Sequence, residues 1–239
     1  MADQKILGVL FGVGAGLMWA VEAVLGKILF SSFTFVQVTA SEAFFAALTA
    51  FAYIFLRKEN VKVNRKSFRD LLIVGLVGTV FAPLLYFFGL TQTLAVNVTL
   101  IAHLQPLFIA VFGSYFLKEH LHKHDVAAGV LIIFAAILIT SRTIENLIKF
   151  KIGNFGDLMV FFATLCWALV AIPGKRLTEE TSSVVIVAYR FLIASIVFIP
   201  VLSFLNQLTI RSIYQVLLLS LIHISEPTRP LYISYAVFC

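Results

Sequence analysis

Long apolar stretches separated by short polar breaks run through the whole sequence. Mainly hydrophobic runs recur at 6–29, 34–56, 71–91, 94–116, 125–141, 156–174 and 184–205, and another starts near Ser212. Each is close to the roughly 20 residues with which a helix crosses a hydrocarbon core. None alternates polar and apolar positions as a barrel strand does, and lipid allows a backbone only helices or closed barrels in which to satisfy its polar groups. The pattern predicts an all-α polytopic membrane protein. Pro83, Pro106, Pro173 and Pro200 fall inside runs, where membrane helices tolerate them as kinks.

Composition strengthens this reading. Of 239 residues 61% are hydrophobic and 13% charged, with 24 phenylalanines, more apolar surface than one water-soluble core of this size hides. The two cysteines, Cys166 and Cys239, give no disulfide framework.

A net charge of +6 would point to nucleic acid in a soluble protein, but here the cations fall in alternate loops. With the N-terminus in the cytoplasm, Lys5, the six cations of 57–69 (Arg57, Lys58, Lys62, Arg65, Lys66 and Arg69), Lys118, Lys123, Lys175 and Arg176 lie inside. Only Lys27, Arg142, Lys149, Lys151 and Arg211 lie on the opposite side. This asymmetry predicts a multi-pass protein of the cytoplasmic membrane with its N-terminus inside. The first run is longer than the core of a cleaved signal and belongs to a repeat, so it reads as a genuine span.

The repeat emerges when the chain is laid against itself at an offset of 148. Residues 8–27 then align with 156–175 without a gap, and nine of the twenty positions are identical, among them Trp19/Trp167, Gly26/Gly174 and Lys27/Lys175. Apolar composition alone matches Leu and Ala pairs, but not a Trp, two Gly and a Lys in register. The second spans align at the same offset, placing Glu42 opposite Arg190 and Ala46 opposite Ala194. Five spans separate the two starts. An odd number means that the second unit enters the membrane from the other side, an inverted-topology repeat.

With "WAVEAVLGK" at 19–27, "AHLQPLFIAVFGSYFLKEHL" at 102–121 and "AAGVLIIFAAILI" at 127–139, the sequence resembles the EamA-type branch of the drug/metabolite transporter superfamily. The resemblance covers 6–141 fully and 153–205 partly. It implies ten helices arranged as two inverted five-helix repeats, with Pro106 interrupting the fourth helix and Glu119 following it at the cytoplasmic edge. On this reading 1–148 is the first repeat, 149–218 the start of the second, and Gly26, Lys27, Pro106, Glu119, Gly174 and Lys175 are family-motif positions. Glu42 departs from the pattern, in which a basic residue stands where Arg190 does in the second repeat. About seven helices and the start of an eighth are present. The segment from Leu219, "LSLIHISEPTRPLYISYAVFC", resembles the conceptual translation of a sequencing-library adapter, so 219–239 reads as a non-native tail on a fragment whose further spans are missing.

Ionised groups in a bilayer are expensive and mark cavities or partners. Ala15, Trp19, Glu22 and Gly26 share one helical face, which the resemblance places beside a central cavity. Glu22 is therefore a candidate to bind a cationic or amino-bearing substrate or to carry a proton; a structural contact or a snorkelling position is the bland alternative. Thr99, His103 and Pro106 share a face of the fourth span, where the proline frees a backbone carbonyl. His103 and Thr99 are candidates on that basis. Trp19, Tyr86 and Trp167 are candidates to stack on a substrate, against the commoner role of packing or interfacial anchoring. Glu42 and Arg190 sit at matching depth and read as structural.

His120, His122, His124 and Asp125 crowd a loop beside Lys118 and Lys123 and read as solvated, so no metal site is assigned. Asn97-Val98-Thr99 matches a glycosylation sequon but falls within a span. No nucleotide, zinc or nucleophile motif is present, and no cofactor is expected. The expected partners are a small-molecule substrate and membrane lipid, with no nucleic acid and the oligomeric state open. The favoured function is a secondary transporter of small metabolites or drugs, an exporter working by alternating access and open to proton coupling, and not an enzyme. The alternative is a membrane-embedded enzyme or sensor using Glu22 and His103 as an acid/base pair.

Overall fold

The computed structural model describes residues 20–118, 123–141 and 153–208, together with Gly14, Leu17, Thr143, Glu145 and Ile148. Trp19, Glu119 and the 219–239 segment lie outside the described residues. The described chain is all-helical, with no strand among the described residues. We number the helices α1 (residues 20–29), α2 (Phe35–Arg57), α3 (Arg65–Gln92), α4 (Ala95–Ala102 and Gln105–Leu117), α5 (Lys123–Ser141), α6 (Phe155–Glu180) and α7 (Ser183–Phe204). Five of them, α2, α3, α4, α6 and α7, are long and apolar enough to cross a membrane. Large apolar side chains such as Phe55, Tyr115 and Phe204 stand exposed, as a lipid-facing surface requires.

Two helix starts carry capping boxes. At α2 the Thr34 hydroxyl accepts from the Gln37 N–H at 3.2 Å, and Gln37 Oε1 accepts from the Thr34 N–H at 3.0 Å. At α6 Asn154 and Asp157 repeat the arrangement, at 2.9 and 2.8 Å. Each box satisfies backbone donors that the first turn leaves without intrahelical partners.

Prolines shape the interiors. Pro83 follows a π-helical stretch, Val74–Phe81, within α3. Pro106 opens the second piece of α4, after the break at His103 and Leu104. Pro173 and Pro200 are carried inside continuous helices.

The helix ends differ from the hydropathy reading. α3 begins at Arg65 rather than 71, and α6 continues to Glu180 rather than 174. The added turns hold Arg65, Lys66, Arg69 and Asp70 in α3 and Lys175, Arg176, Glu179 and Glu180 in α6. Backbone hydrogen bonding carries a helix past the lipid boundary, whereas an apolar run records only the part within it.

Packing centres on α6, which touches every part of α3, both pieces of α4, and α7. A second extensive helix pair is α2 with α7. Its core holds Ala40, Ala43, Ala46 and Ala50 of α2 and Ala188, Phe191, Ala194 and Phe198 of α7. Every one of these α2 residues faces an interface that also holds its equivalent 148 residues on. A contact made by the same patch of two related units is self-complementary, as at an isologous interface.

Polar contacts join the two units at both ends of the bundle. At the basic end, where the 58–64 loop lies, Ser67 Oγ donates to Glu180 Oε2 at 2.5 Å, Ser182 Oγ to Glu59 Oε2 at 2.7 Å and the Tyr189 hydroxyl to the Val61 carbonyl at 3.1 Å. Arg176 stands 3.8 Å from Asp70. At the opposite end Thr34 Oγ1 donates to Gln207 Oε1 at 2.7 Å, and Gln37 Nε2 to the Gln207 carbonyl at 2.9 Å.

Candidate functional site

Glu22 lies on α1 at 2% exposure. One turn further along, Gly26 lets α1 approach α3: a Cβ there would sit 2.9 Å from Leu90 Cδ2 and 3.3 Å from Phe87 Cε1. Leu25 and Leu29 of α1 share one core with Tyr86, Phe87 and Leu90 of α3 and with Trp167 of α6. The buried acid is therefore borne by a helix that packs directly on the segment containing Tyr86. Lys27, next to Gly26, is half-buried.

Tyr86 and Trp167 are brought together. Their rings are 5.4 Å apart, tilted by 54°, and Trp167 Nε1–H donates to the Gly78 carbonyl at 2.9 Å. Tyr86 is 1% exposed and Trp167 half-buried. One residue comes from each side of the 148-residue sequence repeat.

Thr99 and His103 are placed differently. Thr99 is half-buried, and its hydroxyl donates back to the Ala95 carbonyl at 2.9 Å. His103 is exposed at the α4 break, with Nδ1 2.5 Å from the Thr99 carbonyl. A carbonyl only accepts, so Nδ1 carries the hydrogen. Pro106 is exposed.

Gly174 and Lys175 are half-buried on α6. A Cβ on Gly174 would meet nothing within 4 Å, so the glycine that matches Gly26 in the sequence does not match it in packing. Glu42 is buried on α2, and the Arg190 guanidinium of α7 lies 4.6 Å from the Phe191 ring centre.

A buried polar group that the sequence reading did not single out sits where α3, α4 and α6 meet. Asp157 Oδ1 accepts from Thr93 Oγ1 at 2.6 Å and from Asn97 Nδ2 at 3.3 Å, and Oδ2 accepts from the Asn154 N–H at 2.8 Å. Asn154 Nδ2 donates in turn to the Gln92 carbonyl at 3.2 Å. Asp157 and Asn97 are 4% and 2% exposed. Asn97, the sequon asparagine, is thus an internal structural group. Asn154-x-x-Asp157 is the signal from which the acid was readable, since that spacing is a capping box.

Among the described residues no cluster of three His, Cys, Asp or Glu is arranged to hold a metal. The site is an apolar and aromatic core with a buried acid on a neighbouring helix.

Comparison with known proteins agrees with this architecture. The chain is 29% identical over 154 residues to the uncharacterized transporter YyaM of Bacillus subtilis, covering 64% of this chain and 49% of that protein. It is 28% identical over 193 residues to an uncharacterized transporter of Methanothermobacter thermautotrophicus, covering 74% and 55%. It is 24% identical over 156 residues to the pseudopaline exporter CntI of Pseudomonas aeruginosa, covering 64% and 52%. The chain spans about half the length of the curated relatives it matches. One solved crystal structure shares the fold, with a TM-score of 0.70 at 16% identity over 95% of this chain and 78% of that one. The family model of EamA-like transporters matches twice, over residues 6–141 and 154–228. The two matches start 148 residues apart, at Ile6 and Asn154, and the second runs past Leu219. The chain is a multi-pass membrane protein and belongs to the EamA-like transporter family.

Proposed function

We propose that the whole protein is a secondary transporter that exports a small metabolite or drug across the cytoplasmic membrane. Its two units have inverted topology and rock against each other, opening a shared site to each side in turn. The observation that carries this reading is the α2–α7 interface, where Ala40, Ala43, Ala46 and Ala50 meet a surface containing their own equivalents. Two halves that contact each other through the same patch can exchange conformations at little energetic difference. The pairing of Tyr86 with Trp167 supports a site between the units. The CntI relative exports pseudopaline, which fits a small metabolite as cargo. No substrate other than this class follows, and no nucleic-acid partner is proposed.

Lys27 lies near the end of α1 and Lys175 near the end of α6, so inverted units put them on opposite sides of the membrane. Single cysteines at these positions in the full-length protein, probed in intact cells with a membrane-impermeant maleimide, should label at position 27 only. Labelling of both sinks the inverted arrangement. In proteoliposomes holding candidate metabolites, solute should cross unaltered; a chemically changed product reverses the assignment in favour of an enzyme.

A further inference from the structure

The Val74–Phe81 stretch of α3 is wound as a π-helix inside a membrane-crossing helix. π-turns are rare and frequently mark functional sites. The cause here is local. Pro83 has no N–H, and its ring crowds the carbonyl four residues back, that of Thr79. Hydrogen bonding steps outward instead: the Ala82 N–H reaches the Val77 carbonyl, five residues back. The Thr79 hydroxyl takes the same five-residue step, to the Val74 carbonyl at 3.3 Å.

Helices of the second unit hold this stretch on two sides. Gly75 faces Ile193 of α7, whose nearest side-chain atoms lie 3.1 Å from where a Cβ would stand. Gly78 faces Val170 of α6 at 2.9 Å on the same measure. Trp167, three residues before Val170, donates its indole N–H to the Gly78 carbonyl and lies against Tyr86. Gly78 is in the π-helical part of α3, whereas Tyr86 is in the α-helical part beyond Pro83. One side chain of the second unit therefore grips the first on both sides of the proline.

We propose that Trp167 is a positioning residue which holds this segment in its wide winding, and that Val74–Phe81 is the hinge on which α3 turns during transport. The inference rests on the alternating-access reading above. Removing one residue from the wide turn rotates the helix beyond it by about 100°, which carries Tyr86 away from Trp167. The two contacts of Trp167 are thus made together in one state and lost together in the other.

The test uses the full-length protein in lipid nanodiscs, with native cysteines replaced by alanine and spin labels on cysteines at positions 66 and 179. Both positions are exposed at the basic end, one on each unit. Electron–electron distance measurement should find two separations in the otherwise unsubstituted protein. Trp167→Phe keeps a ring against Tyr86 but loses the donor, and should change the ratio of the two populations at least threefold. Thr79→Val removes the other side-chain donor at nearly constant volume and should shift the ratio in the same direction. Unchanged ratios, or opposite shifts, overturn the hinge; so does a lowered melting temperature with an unchanged ratio, which is a structural role alone. Should Trp167→Phe fail to assemble, Thr79→Val decides by itself. A single separation in the unsubstituted protein instead disproves alternating access, the reading on which the hinge depends.

Discussion

Gly89 and Gly156 cross backbone to backbone: a Cβ on Gly89 would stand 2.6 Å from the Gly156 carbonyl oxygen, and a Cβ on Gly156 2.8 Å from that of Gly89. The first unit meets the second here with no side chain between them, the kind of close approach that small residues permit in membranes. These backbone oxygens have no rotamer into which to retreat, and Val160 Cγ2, 2.5 Å from the Gly89 Cβ position, and Gln92 Cβ, 2.6 Å from that of Gly156, crowd the same space. We predict that Gly89→Ala and Gly156→Ala each destabilise the protein by about 1–3 kcal/mol. The double variant should lose less than the two losses added, because one shift of α3 from α6 relieves both clashes. Reversible unfolding in mixed detergent micelles measures all three.

The Asp157 carboxylate is held by three donors, Thr93 and Asn97 where α3 passes into α4 and the Asn154 N–H that caps its own helix, so its substitution by a near-isostere is informative. Asn at this position puts an NH2 where one carboxylate oxygen accepts, either against the Asn154 N–H or against Thr93 and Asn97. We predict a loss of about 1–3 kcal/mol for Asp157→Asn, and about 1 kcal/mol for Thr93→Val. A double-mutant cycle should show coupling of at least about 0.5 kcal/mol. Additive losses would mean that the two groups do not share the bond at 2.6 Å.

The helices were legible because lipid imposes a length and a composition that no soluble core demands. Their ends were less so: Arg65 and Glu180 lie where helical hydrogen bonds outlast the apolar run. The π-helical winding before Pro83 was not legible. Pro83 announces a disturbed hydrogen-bond ladder, but not whether the helix answers with a kink or with a wider turn. Of the candidate site, the Tyr86–Trp167 pair was foreseen as two separate aromatics but not as a contact. Asp157 was hidden within an apolar run whose start at Gly156 left Asn154, its capping partner, outside.

Gly26 and Gly174 match at the repeat offset and yet stand in different surroundings, which gives a prediction that sequence alone reverses. Ala in place of Gly favours a helix by up to about 1 kcal/mol. At 174 nothing opposes that gain, since a Cβ meets no atom within 4 Å. At 26 the Cβ presses on Leu90 and Phe87, and although Leu90 can turn aside, the aromatic ring has little room. Gly174→Ala should leave stability unchanged or raised by up to about 1 kcal/mol. Gly26→Ala should fall below it by about 1–2 kcal/mol. Equal effects at the two positions would show that α1 does not pack on α3 through Gly26.

On the proposed transport reading, Glu22 is the residue at which coupling to a proton gradient is tested. The side chain is 2% exposed on α1, and an ionised carboxylate within lipid costs about 3 kcal/mol or more. In the proposed cycle, taking up and releasing a proton as the site changes sides would let the group avoid that cost in one state and meet a cationic solute in the other. Glu22→Gln keeps the size and the hydrogen-bonding atoms but cannot exchange a proton. In proteoliposomes of the full-length protein we predict that Glu22→Gln lowers transport driven by a pH gradient at least tenfold. Exchange of solute at equal pH should persist, because moving solute alone needs no proton to be released. Glu22→Asp should recover part of the driven rate. If the Gln variant responds to the pH gradient as the native protein does, the carboxylate has no part in coupling and its burial is structural.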